Sequence, residues 1–91
     1  NSKLKKIRKK LDSLDNRLLR LIKIRTELVK RVIKTKSSKK EIVDNKRIKE
    51  VLSKVKKNSI KNKIDPVITK KIWSSMINAY IDFEKKNFKK K

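Results

Sequence analysis

The stretch Ser2-Lys3-Leu4-Lys5-Lys6-Ile7-Arg8-Lys9-Lys10-Leu11-Asp12-Ser13-Leu14-Asp15-Asn16-Arg17-Leu18-Leu19-Arg20-Leu21, which runs on without Gly or Pro to Lys36, decides the fold. Leu4, Ile7, Leu11, Leu14, Leu18, Leu21, Leu28 and Val32 recur at alternating steps of three and four. That spacing lines up one face of a helix packed on another helix. One rung of the ladder is broken: position 25 is Arg. At 1.5 Å per residue a helix over residues 2–36 is on the order of 50 Å long. A chain of 91 residues is too short to cover such a helix from its own remainder. A second copy is the simplest cover. The expected fold is therefore all-α, a three-helix chain with a long first helix, assembled as an intertwined helical homodimer.

Outward from this helix, Ser37-Ser38-Lys39-Lys40-Glu41 reads as a polar loop. A second helix is expected over about residues 44–61. Asp44 is its N-cap, and Ile48, Leu52 and Val55 form its apolar stripe with Val51 beside it. Lysines enrich its last turns, where the helix dipole is negative. Asn62 to Asp65 form a second loop. Asp65-Pro66 is a strong helix start, since Asp caps and Pro occupies a first position that needs no N–H. The third helix is expected over 66–88, with Ile68, Ile72, Trp73, Met76, Ile77, Tyr80 and Ile81 on its apolar face. The tail Lys89-Lys90-Lys91 reads as frayed. No internal repeat or second domain is visible, so residues 1–91 are expected to form one domain.

Composition sets the limits. Hydrophobic residues make up 35% and charged residues 44%, values that fit either a disordered tail or a long-helix protein. The periodicity selects the helices. With no cysteine and no histidine, disulfides, the common zinc sites, thiol catalysis and histidine acid–base catalysis are all excluded. Absence of cysteine fits a cytoplasmic setting. No run approaches eighteen apolar residues, so no membrane span is expected. The formal net charge of +22 has two readings of equal weight. One is a polyanion-binding surface. The other is the Lys-, Ile- and Asn-rich residue usage of an AT-rich genome, with lysines scattered over solvated faces. Nucleic acid is the less favoured partner because Trp73 and Tyr80 fall on the apolar face of helix three, not on a basic surface.

Chemistry is sought where polar groups interrupt apolar faces. Arg25 stands in the seam, and taking its charge out of water costs several kcal/mol unless it is paired. Arg8 lies at the edge of the same face, and Lys36 ends the helix. An antiparallel partner helix would bring Arg8 of one chain toward Arg25 and Lys36 of the other. Arg47 lies early in helix two, and Glu84 continues the buried face of helix three. Taken singly, each has an ordinary explanation as a bundle salt bridge or a surface cation. Taken together, several cations and one acid directed into a helical core suit a small substrate with two carboxylates, which guanidinium grips in bidentate fashion.

The run Ile7-Arg8-Lys9-Lys10-Leu11-Asp12-Ser13-Leu14-Asp15-Asn16-Arg17-Leu18-Leu19 resembles the opening of the all-helical chorismate mutases. Arg25-Thr26-Glu27-Leu28-Val29 and Lys36 continue the resemblance. Ile42-Val43-Asp44 with Arg47 is similar to the start of their second helix, and Ile64-Asp65-Pro66 to the turn into their third. The resemblance implies an intertwined homodimer with two equivalent sites that converts chorismate to prephenate, in aromatic amino-acid biosynthesis, without cofactor or metal. It also implies roles for single residues. Arg25 and the partner's Arg8 would hold the substrate carboxylates, and Lys36 one carboxylate and the ether oxygen. Asp44 and Arg47 would stand at the ring hydroxyl. Glu84 would donate a hydrogen bond to the ether oxygen, with Tyr80 one turn before it. There are departures: Ile48 stands where the mutases usually carry Glu, Glu84 where Gln is frequent, and Tyr80 where a small polar residue is frequent. These resemble the isochorismate-pyruvate lyases, which share the fold and release pyruvate to leave salicylate. The mutase is the leading reading and the lyase its alternative.

Overall fold

A computed structural model describes residues 1–89 of the chain. The expected fraying at Lys90 and Lys91 lies outside the described residues. Helix α1 spans Ser2–Thr35, α2 spans Asn45–Lys61 and α3 spans Pro66–Asn87, with a single 3-10 turn at Lys39–Glu41. No strand occurs among the described residues, and the all-α expectation holds. The chain divides into two compact units, residues 1–32 and residues 33–91.

The first unit is one helix. Asn1 caps it: its side-chain oxygen accepts from the Lys3 N–H at 2.9 Å and the Leu4 N–H at 3.4 Å, two of the donors that a helix start leaves without partners. The interior has no breaker. Within it the Thr26 hydroxyl bonds back to the backbone, donating to the Ile22 carbonyl at 2.8 Å. The seam read from the sequence is solvent-exposed along its whole length, from 42% exposed at Leu4 to 62% at Leu21. Leu19, Ile22 and Ile24 are exposed as well, so the apolar stripe is broader than the ladder alone.

The second unit is built on a helical hairpin, α2 packed against α3. Asp44 caps α2 as expected, its Oδ1 accepting from the Arg47 N–H at 3.0 Å. Asp65 caps α3 in the same way through the Val67 N–H at 2.9 Å, with Pro66 in the first turn. Each cap is worth about 1 kcal/mol. The connection between the helices is a Schellman motif: the Ile64 N–H reaches the Ser59 carbonyl at 2.8 Å and the Lys63 N–H reaches Ile60 at 3.1 Å. Lys63 takes the left-handed conformation there (φ 58°). The position ordinarily goes to glycine, which this chain lacks entirely.

The hairpin is tied by two small hydroxyls. Ser59 and Thr69 are both buried and share a 2.7 Å hydrogen bond across the helices. Ser59 also bonds the Val55 carbonyl at 2.6 Å, and Thr69 the Pro66 carbonyl at 3.3 Å. Both hydroxyls are therefore satisfied, as burial requires. Among the described residues the buried apolar side chains are Ile33 and Ile42. Ile48, Val51, Leu52 and Val55 of α2 and Trp73, Met76, Ile77, Tyr80 and Ile81 of α3 are half-buried, so those stripes face inward as expected. Ile68 and Ile72 differ. Placed on the apolar face by their spacing, they stand 54% and 50% exposed, while Thr69 beside Ile68 is buried against Ser59 of α2.

Candidate functional site

The residues singled out from the sequence fall into three groups. Lys36 and Asp44 come together. Both line a hollow of about 430 Å³ between the end of α1 and the start of α2, with Thr35, Glu41, Val43 and Asn45 completing its wall. Lys36 is half-buried and its N–H bonds the Ile33 carbonyl at 3.1 Å, closing the helix end. The Asp44 carboxylate uses one oxygen as the cap of α2. An ammonium and a carboxylate at one opening form a site able to take a carboxylate on one side and a hydroxyl on the other.

The segment between them is ordered by Glu41. Its Oε2 accepts from the Ser37 N–H and, at 3.2 Å, from the Ser38 N–H. The Glu41 N–H returns to the Ser38 carbonyl at 3.2 Å. What reads as an open polar loop is thus a tight 3-10 turn that fixes the spacing of Lys36 and Asp44. Ser38-Lys39-Lys40-Glu41 carries the Ser-x-x-Glu spacing of a capping box, the signal by which this turn and its Glu were legible.

The second group lies on the hairpin. Arg47 sits one turn into α2, exposed, with Nη1 3.6 Å from the Glu50 carboxylate one turn on. A pair this exposed is worth at most about 1 kcal/mol and yields to a better anion. Tyr80 and Glu84 lie one turn apart on α3, both half-buried. Tyr80 meets Phe83 edge to face, with ring centres 6.3 Å apart and planes at 87°, an arrangement that aromatic quadrupoles favour. Ile48, in place of the acid usual there, is half-buried on the inner face of α2.

The third group is on α1. Arg8 is exposed, while Arg25 is the one cation of residues 1–32 that is not. Arg25, Thr26 and Val29 are half-buried and every other residue of that unit is exposed. Seventeen residues separate Arg8 from Arg25, about 25 Å along the helix axis. Two guanidinium groups that far apart on one straight helix cannot clamp one small molecule, so a site using both draws them from two chains.

Among the described residues no group of His, Cys, Asp and Glu is placed to hold a metal ion, and no helix is long and apolar enough to cross a membrane. Compared with known proteins, the chain matches the family model described as chorismate mutase type II over residues 7–85. No curated protein and no solved structure matches it.

Proposed function

We propose how this chain, which belongs to the chorismate mutase type II family, carries out that family's reaction, the rearrangement of chorismate to prephenate. The family match over residues 7–85 is the observation that carries the reading. It makes the protein an isomerase acting on a dicarboxylate. The assignment of residues and the assembly are our reading.

The reaction is pericyclic: one C–O bond breaks as one C–C bond forms, and negative charge gathers on the ether oxygen. No general base is required, which is compatible with a chain that has no histidine. What the protein must supply is a conformational clamp and donors aimed at that oxygen. Arg25 and the partner's Arg8 grip the two carboxylates. Lys36 binds a carboxylate and the ether oxygen. Asp44 accepts from the ring hydroxyl, with Arg47 beside it in exchange for its weak Glu50 pair. Glu84, protonated, donates to the ether oxygen, and Tyr80 packs one turn away. The shared hollow of Lys36 and Asp44 and the half-buried Arg25 support this set.

The assembly is a homodimer, and residues 1–91 act as one domain within it. Covering a half-exposed Leu or Ile is worth about 1 kcal/mol. Eight seam residues on each of two chains then supply on the order of 15 kcal/mol, the size of the cost of association, about 4–15 kcal/mol. The 25 Å between Arg8 and Arg25 calls for the same assembly. We assign the protein to the cytoplasm, the setting that its lack of cysteine fits.

Incubation of the purified protein with chorismate and, separately, with isochorismate tests the reading. Prephenate from chorismate, with little salicylate from isochorismate, is the expected result. Salicylate and pyruvate from isochorismate without prephenate would transfer the assignment to the lyase branch and give Ile48 and Glu84 the decisive role.

A further inference from the structure

The described hairpin has a second concavity that the reaction does not use. It opens between α2 and the first turns of α3, with a volume of about 520 Å³, within the range of small-molecule sites. Its floor is apolar: Leu52 and Val55 from α2, Pro66 and Val67 from α3. Its rim carries three lysines, Lys49 and Lys56 on α2 and Lys70 on α3, and no acid lines it. Lys49 and Lys56 are two turns apart on one edge of α2, about 10 Å along the axis.

The polar backbone around this groove is already occupied. The Val67 N–H is taken by the Asp65 carboxylate, and the Ile68 and Thr69 N–H groups by the Asp65 carbonyl. The Thr69 hydroxyl is held by Ser59. Free donors at the groove are therefore the three ammonium groups and the Ser53 hydroxyl, all solvent-facing. An apolar floor beneath a wholly cationic rim is complementary to one kind of molecule, an apolar body ending in an anionic group. The lysine stems lie along the body while their heads stay in water and meet the charge.

We propose that this groove binds small amphipathic anions, molecules with a hydrocarbon or ring body of roughly eight to twelve heavy atoms and a terminal carboxylate, separately from the substrate site. The body lies on Leu52, Val55 and Val67, and the carboxylate reaches Lys49, Lys56 or Lys70.

Titration of the ¹⁵N-labelled protein with octanoate, with 1-octanol and with sodium acetate tests it. Octanoate is expected to move the amides of Leu52, Val55, Lys56, Val67 and Lys70 saturably. Octanol should bind about tenfold more weakly, the worth of a few exposed ion pairs, and acetate should give no saturable shift. The Lys49→Ala/Lys56→Ala/Lys70→Ala variant should bind octanoate no better than octanol while its turnover of chorismate stays normal. Equal affinity for octanoate and octanol in the parent protein overturns the proposal. So do shifts confined to the Leu4–Val32 seam, or groove amides that do not move at all, as when a second copy covers them.

Discussion

The helix of residues 1–32 and the hairpin of α2 and α3 solve the problem of a small core in opposite ways. The helix has the longest apolar pattern in the chain and buries none of it: every Leu, Ile and Val of the ladder is at least 42% exposed. The hairpin has short stripes, yet it is closed by specific polar chemistry, two aspartate caps, a Schellman turn and the Ser59–Thr69 pair. Pattern strength and self-sufficiency are thus separate properties. A long strict ladder leaves a broad apolar surface open, the face we assign to a partner, whereas a short stripe with good punctuation packs within the chain.

Breaking the seam should have the largest effect. Leu11→Glu with Leu18→Glu places two charges in the face we assign to the partner. Sedimentation should show the dimer replaced by monomer, with loss of much of the far-ultraviolet helix signal and of all turnover. A dimer that persists would mean that another surface joins the copies.

Arg25→Ala comes next. It removes the clamp we propose for the transition state, so kcat/KM should fall by roughly 10²–10³-fold, the cost of one lost preorganised donor. The dimer and its helix content should survive. Near-normal turnover would remove Arg25 from the site and leave its half-burial as a packing feature of α1.

On the hairpin, Glu84 should act as a proton-bearing donor. A carboxylate accepts only, while the acid donates. The rate should therefore fall as pH rises through the ionisation of Glu84, and Glu84→Gln, which keeps a donor at every pH, should flatten that limb of the profile. A variant as pH-sensitive as the parent would show that another group governs the rate.

The smallest effect belongs to the turn. Lys63→Gly relieves a side chain held at φ 58° and should stabilise the fold by about 0.5–1 kcal/mol after allowance for the added freedom of the unfolded chain. Thermal melts at fixed protein concentration check it. An unchanged or lower midpoint would show that the Lys63 side chain contributes contacts that offset the backbone cost.

Local chemistry made much of this legible. A ladder of three-and-four steps needs only the helical period, and caps such as Asp44 and Asp65-Pro66 satisfy N–H groups two or three residues away. The Ser-x-x-Glu turn at residues 38–41 was equally local and readable from its spacing, though its polarity made it look like plain loop. Candidate cations stood out because each interrupted, bordered or ended an apolar face.

By itself, then, the sequence determined the elements and their ends and pointed to the face we assign to a second copy, because those follow from contacts within four residues and from the area left uncovered. Tertiary structure alone decided which faces meet. Ser59 and Thr69 are ten residues apart and unremarkable in sequence, yet they are the buried tie. Ile68 and Ile72 share the period of the α3 core and stand in solvent. Lys36 and Asp44 border one hollow only because Glu41 folds the segment between them. In each case the deciding quantity is a distance between residues on different elements, set by side-chain volumes at a helix crossing or a turn, and no periodicity encodes it.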